Sequence, residues 1–363
     1  MFTKKHFINT ISVLFLFAIN IIFLFEHSHS ESSSFSAYLW LYIPLFFAVI
    51  WFADKILRHN GIIVRKNFIL LFALIILFFV ASEFLFNVNK GNAYLATGIW
   101  LTNISNGTFP YNYANLFNLP FLYYVEAPFY LLGNVSLFGF FGLALFLFFV
   151  LEFSSTKKET AIRTIVLFTL PVFYYEILSC GDSFANAALV IAIIFLMKKF
   201  IDENKIDIKF FFLSVVFGAF LCTRVLLIIP FVLSLLYFFR YNIKDMVLFA
   251  LLSFLIGFAF LVPFLRWNYL SFVNLGPFTN SLAHLSVWMY ILLFIIVVYI
   301  GWMISDLQEL LFASGIILFF VSLIIYLGDG NYPDGIILSI PFLILSIKEY
   351  EVDKFLGKKI TIE

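Results

Sequence analysis

Apolar runs long enough to cross, or nearly cross, a bilayer recur along the whole chain, near 8–25, 37–54, 67–86, 135–153, 161–178, 184–200, 245–263, 284–303, 308–327 and 334–348. A further stretch, Phe210 to Phe239, is too long for one crossing and short for two, and it carries polar Thr223-Arg224 at its middle. One helix through that stretch would bury an arginine in hydrocarbon at high cost, so two short helices meeting at Arg224 fit better. The expected fold class is all-α: a polytopic membrane helical bundle of about twelve transmembrane helices. Composition agrees, since hydrophobic residues make up 63% of the chain and charged residues 12%. A mean hydropathy of +1.06 excludes a soluble domain of this length.

The basic residues orient such a bundle. With the N-terminus in the cytoplasm and alternating crossings, all but three of the 22 Lys and Arg residues fall inside. The three exceptions are Lys90, Arg224 and Arg266. Both termini are therefore expected in the cytoplasm, with the chain an integral multi-pass protein of the cell inner membrane. The first apolar segment follows Lys4 and Lys5 and ends in Glu26-His27-Ser28-His29 without small cleavage-site residues, so it reads as a retained anchor. Three regions follow: a transmembrane hairpin and cytoplasmic loop over 1–66, a transmembrane domain over 67–348, and a cytoplasmic tail over 349–363. No repeat of 20–50 residues is visible. A net charge of +1 gives no nucleic-acid signal.

One polar interruption stands out, the loop from Asn87 to Pro120. At membrane depth its backbone must find partners in protein or water. Rich in Asn, Tyr, Gly and Pro but nearly free of charge, it reads as a folded platform at the outer face, within an outer region spanning 87–134. The apolar segment Phe121 to Leu132 would break the charge pattern as a crossing, so it is expected to lie at the interface as a helix.

The outer face collects the candidate chemistry. Lys90, Arg224 and Arg266 suit a phosphate or other anion, or pair with outer carboxylates. Those carboxylates are Glu26, Glu31, Glu83, Glu126, Glu176, Asp182, Asp329 and Asp334. A carboxylate in partly dry surroundings can act as a general base. Glu83 closes the third span and Asp182 sits at the tip between two spans, whereas Glu126 lies inside the apolar interfacial helix. The His27/His29 pair in EHSHSE and the lone His284 read more readily as polar turn and span end than as metal ligands. Cys180 and Cys222 imply no disulfide framework. No Walker loop, dinucleotide glycine pattern, zinc spacing or nucleophile elbow is present.

Three runs in the outer region carry a family likeness. They are Gly98 with Asn106-Gly107-Thr108-Phe109-Pro110-Tyr111, then Asn118-Leu119-Pro120-Phe121-Leu122-Tyr123-Tyr124, then Pro128-Phe129-Tyr130-Leu131-Leu132-Gly133. Downstream come Gly181-Asp182, Arg224, the run Val262 to Asn268, and Asp329-Gly330-Asn331-Tyr332. Together they resemble the GT-C superfamily of membrane glycosyltransferases. The resemblance implies a GT-C-like bundle that moves a sugar from a polyprenyl-phosphate donor to a glycan, lipid or protein acceptor at the outer face, among membrane lipids. It implies a first-loop acid near Asn89-Lys90-Gly91, where this chain has none, so Glu83 or Asp182 is expected to serve. Lys90, Asn92, Tyr111, Arg224, Arg266 and Asp329 are the expected substrate contacts, with Tyr94, Trp100, Tyr111 and Tyr113 offering faces for sugar stacking. No metal ligands are assigned, although the resemblance leaves room for a divalent cation.

Other readings remain open at this point. A transporter or flippase for a lipid-linked sugar would want charges near the midplane and inverted repeats. An inactive relative of the transferases would lack the first-loop acid. Cys180, Arg224 and His284 are loosely similar to the residues of exosortase-like transpeptidases.

Overall fold

Inside hydrocarbon a backbone finds no water, so apolar runs close their own hydrogen bonds as helices. The computed structural model describes residues 4–30, 42–46, 48–49, 65–86, 92–112, 116, 118–132, 135–179, 181–201, 206–274, 277–278, 286–329 and 334–348, and these form an all-helical chain with no strand among them. The principal helices are α1 (Lys4–Ser30), α2 (Arg65–Phe86), α3 (Asn92–Ser105), α4 (Pro120–Leu131), α5 (Ser136–Phe153), α6 (Lys157–Phe168) and α7 (Pro171–Leu178). They continue with α8 (Ser183–Phe200), α9 (Ile208–Leu221), α10 (Ile228–Phe239), α11 (Ile243–Asn274), α12 (Val287–Met303), α13 (Leu307–Asp329) and α14 (Asp334–Ser346).

Five of these contain stretches long and apolar enough to cross a membrane: His6–Phe25, Ser136–Phe153, Ser183–Phe200, Ile243–Asn274 and Leu307–Leu327. The bent pair α6–α7 makes a sixth if it is one span. This is fewer than the twelve crossings expected. Five further apolar helices are shorter, at Phe68–Phe78, Ile208–Leu221, Val225–Phe239, Val287–Met303 and Gly335–Ser346. The expected span at 37–54 lies largely outside the described residues. The expected span at 161–178 is bent by 70° between α6 and α7. Its cause is Pro171, which has no N–H and drives Leu170 into an extended conformation (φ −94°, ψ 107°). Asn20 of α1 meets the bend, its Oδ1 accepting from the Val172 N–H at 3.3 Å.

Close packing holds the bundle together. Helices α9 and α11 approach so nearly that a Cβ on Gly218 would collide with the Ser253 carbonyl, the small-residue contact expected between membrane helices. The main apolar core runs through α1, α5, α8, α10, α13 and α14.

A knot of polar side chains closes one end of this core. The last helix, α14, leaves C-terminal carbonyls without intrahelical partners. Arg163 Nη2 donates to the Leu345 carbonyl at 2.7 Å and its Nε to that of Ile347 at 2.8 Å. Gln308 donates to the Ser346 carbonyl at 2.7 Å, and Asn9 to that of Lys348 at 2.7 Å. Glu159 pairs with Arg163 at 2.6 Å, both side chains being buried. The starts of α1, α6 and α13 thus meet the end of α14.

Helix α5 runs from this knot to the opposite pole. Its C-cap, Ser154, accepts from Arg163 Nη1 at 3.0 Å. Near its other end, Gly139 lies against the Gly181 carbonyl. Its 18 residues span about 27 Å, close to the thickness of a bilayer's hydrocarbon core.

Arg163→Met leaves the Glu159 carboxylate and the α14 carbonyls buried without their partner, and is expected to destabilise the protein by about 3–5 kcal/mol. Lys4→Met loses a pair to Glu309 in which Lys4 is 66% exposed, and is expected to change stability by about 0–1 kcal/mol. Thermal unfolding of both variants in detergent measures the contrast; equal shifts would contradict a structural role for the knot.

Candidate functional site

Where α9 ends and α10 begins, the chain cannot continue its helical ladder. Thr223 and Arg224 occupy the break, and Arg224 is extended (φ −145°, ψ 140°) before the short 3₁₀ turn Val225–Leu227. The break falls where the sequence placed it. The carbonyls it frees are taken by the segment leading into α4: the Leu119 N–H donates to Thr223 at 2.8 Å and the Phe121 N–H to Cys222 at 3.0 Å. Between these two donors stands Pro120, which has no N–H to leave unpaired.

This seam carries Asn118 onto Arg224. The Arg224 Nε donates to Asn118 Oδ1 at 2.7 Å, while Asn118 Nδ2 donates to Asp182 Oδ2. Arg224 Nη2 closes the triangle on Asp182 Oδ1 as an ion pair. All three side chains are buried. Charge-assisted bonds of this kind are the strong ones, and burial deprives any remaining member of water if one is removed.

Asp182 is free to take part because another carboxylate does its local work. It occupies the N-cap of α8 but makes no side-chain cap bond there. Glu176 caps instead, its Oε1 accepting from the Phe184 N–H at 3.1 Å. Residue 181 has to be glycine for this: a Cβ would run into the Glu176 carboxylate. The order Glu176, Gly181, Asp182 therefore separates two tasks, a cap for α8 and an ion pair across the bundle.

A second carboxyl stands beside the triangle. Glu126, on the 12-residue α4, is fully buried. Thr97 Oγ1 of α3 donates to its Oε2 at 2.5 Å. Among the described residues its Oε1 has no hydrogen-bond partner. Burial pushes the Glu126 carboxyl well above the usual carboxylate range, and the Asp182 charge pushes the same way. The Thr97 hydrogen bond and Arg224 pull it down by less. Ser183 Oγ and both side-chain polar atoms of Asn186, in the first turn of α8, are also buried without hydrogen-bond partners among the described residues.

Beneath the seam lies an aromatic cluster. Trp100 stacks on Tyr123 with centroids 4.8 Å apart, and Tyr111, Phe109, Phe264 and Phe272 complete it. Trp100 and Tyr111 were expected to offer faces to a sugar. Both are fully buried, and the Tyr111 hydroxyl donates to the Asn118 carbonyl at 3.1 Å. They hold the loop from below and present no open face. Apolar rings pack out of water unless a ligand replaces it, which is why the interior claims them.

Of the expected site residues, the structure brings Asp182 and Arg224 together. Arg266 is exposed on α11, and no hydrogen bond or ion pair joins it to the cluster among the described residues. Glu83 closes α2, Asn92 opens α3 and Asp329 ends α13, but their side chains lie outside the described residues, as do Lys90, Cys180 and His284 entirely. The linking role of Asn118 went unrecognised in the sequence, although its place just before Leu119-Pro120 marked a polar residue at a helix start. Among the described residues no group of three or more His, Cys, Asp or Glu could hold a metal ion. No family model, curated protein or solved structure matches the chain.

The triangle predicts energetic coupling. Asp182→Asn and Arg224→Met are each expected to lower the unfolding temperature in detergent, and the double variant to lose less than the two together. A coupling of about 1 kcal/mol or more is expected for groups in direct contact. Additive losses would contradict the pairing.

Proposed function

We propose that the chain is an integral-membrane glycosyltransferase, resembling the GT-C superfamily, that moves a sugar from a polyprenyl-phosphate donor to an acceptor at the outer face of the membrane. One observation carries the reading. The stretches of the likeness that include Asn118, Asp182 and Arg224 are far apart in sequence, yet their side chains share one hydrogen-bonded cluster under the outer loop. A transferase needs a cation where the departing lipid phosphate gathers charge, and Arg224, held by the loop itself, is the candidate. Asp182, committed to Arg224 and Asn118, serves to position that guanidinium. Glu83, at the end of α2, is left as the proton acceptor for the attacking hydroxyl. Lys90, Asn92, Arg266 and Asp329 belong to the outer rim of the same reading.

The orientation follows the same logic. The Arg163 knot lies at the end of the bundle rich in basic residues, and the Arg224 cluster lies about one hydrocarbon thickness away along α5. We read the first as cytoplasmic and the second as outer, with about twelve crossings and both termini inside. A second reading, a transporter for a lipid-linked sugar, is favoured by the broken α9–α10 pair, because transporters place ligands at discontinuous helices.

Sugar transfer from a polyprenyl-phosphate donor, assayed with purified protein in lipid, tests the first reading. Glu83→Gln, Asp182→Asn and Arg224→Gln are each expected to lower turnover at least tenfold, in the range removed with one electrostatic or acid–base group. Full activity in all three variants would overturn it. Movement of the lipid-linked sugar across vesicles without any transfer would establish the second reading instead.

A further inference from the structure

Three ionisable side chains meet at the seam, and only two of them balance. Arg224 and Asp182 neutralise each other as an ion pair. Glu126 is the third, fully buried, with one hydrogen bond from Thr97 on Oε2 and, among the described residues, none on Oε1. An ionised carboxylate so placed would hold a buried charge with one hydrogen bond, beside an Arg224 charge that Asp182 already offsets, which is costly. As a carboxylic acid it fits: Oε2 accepts from Thr97 as a carbonyl oxygen, and Oε1 carries the proton. The charged groups that act on Glu126 are Asp182, from the start of α8, and Arg224, from the α9–α10 break. Tyr123 of its own helix is the other titratable neighbour. Where α5 and α9 pack against α4, they bring Phe138, Leu145 and Phe220. From α11, Phe260 packs on Phe121 at the start of α4.

Arg224 is therefore paired with the carboxylate of Asp182 and bonded to Asn118, with a second carboxyl, Glu126, beside them. Ionising Glu126 would set two carboxylates against one guanidinium and add a negative charge where an incoming anion must approach. We propose that Glu126, Asp182 and Arg224 form a proton-linked anion site, in which Glu126 keeps a proton on Oε1 and a phosphodiester ligand takes Arg224 only while that proton is held. No bond beyond hydrogen bonds is made or broken: the ligand displaces Asp182 from Arg224, Asp182 keeps its bond from Asn118 Nδ2, and the proton stays on Glu126. The choice of ligand, the phosphodiester of a lipid-linked sugar, rests on the glycosyltransferase reading. The buried proton does not.

The sign of the pH dependence follows from the direction of the shift. A carboxyl raised in the folded protein is neutral below its folded pKa and charged above it, so ligand affinity is present at low pH and lost as pH rises through that value. The probe is a polyprenyl-phosphoryl sugar, whose single phosphodiester charge does not change over the range used. Its binding is measured on the full-length protein in nanodiscs from about pH 6 to about pH 9, with an expected loss approaching tenfold per unit above the folded pKa. Glu126→Gln, neutral at every pH, is expected to bind with no such slope. Thr97→Val removes a bond that favours the charged form and is expected to move the midpoint to higher pH. A flat wild-type profile, the same slope in Glu126→Gln, or a Thr97→Val midpoint that stays or falls would overturn the proposal. Infrared spectra of the unliganded protein near neutral pH supply a readout independent of any ligand: a carboxylic-acid carbonyl band is expected that Glu126→Gln removes. Binding without that band overturns the proton and leaves the glycosyltransferase reading standing. The band without binding at any pH overturns the anion site together with that reading.

Discussion

A guanidinium buried at a helix break depends on what surrounds it, and the pairing of Arg224 with Asp182 through Asn118 organises the segments that meet there. The pairing needs Asp182 to be released from capping its own helix, which Glu176 does across Gly181. It needs Asn118 at the right height, which the backbone seam at Leu119 and Phe121 provides. It needs the loop to be rigid, and the cluster around Trp100 and Tyr111 packs beneath it. Removing any one of these contacts leaves buried polar groups without partners, and such groups cannot turn to water for relief.

The same physics appears at the other pole with a different purpose. Around Arg163 the polar side chains satisfy the orphan carbonyls at the end of α14, so charge there serves a helix terminus. Around Arg224 the charges serve one another across three separate segments, and Glu126 adds a carboxyl that no helix end requires. Helix α5 connects the two poles, and a large apolar core lies between them. In the first cluster the carboxylate is paired with Arg163 and the donors of Arg163, Gln308 and Asn9 go to the carbonyls at the end of α14, whereas the second holds a carboxyl beyond its one ion pair, which marks the second as the place to look for a ligand.

Several of these features were legible in the chain. Arg224 in the middle of an over-long apolar run announced a broken helix, because an unbroken one would bury a charge. Glu126 inside the apolar segment 121–132 announced a carboxyl in dry surroundings, and that segment forms the helix α4. The bend at Pro171 was less legible: the surrounding residues are apolar enough to read as one span, and hydropathy carries no angle. Asn118 was hidden for another reason. Its partners lie 64 and 106 residues away, so no local pattern records them. Trp100 and Tyr111 show the converse: an aromatic residue in a polar stretch reads as an open face, whereas both are packed inside the cluster here.

Electron cryo-microscopy of the protein in nanodiscs with a bound polyprenyl-phosphoryl sugar tests the central claim most directly. The account predicts phosphate density within hydrogen-bond reach of Arg224, with the Asp182 carboxylate turned from the guanidinium and still held by Asn118. Phosphate bound elsewhere, with the Asp182–Arg224–Asn118 contacts intact, would contradict it.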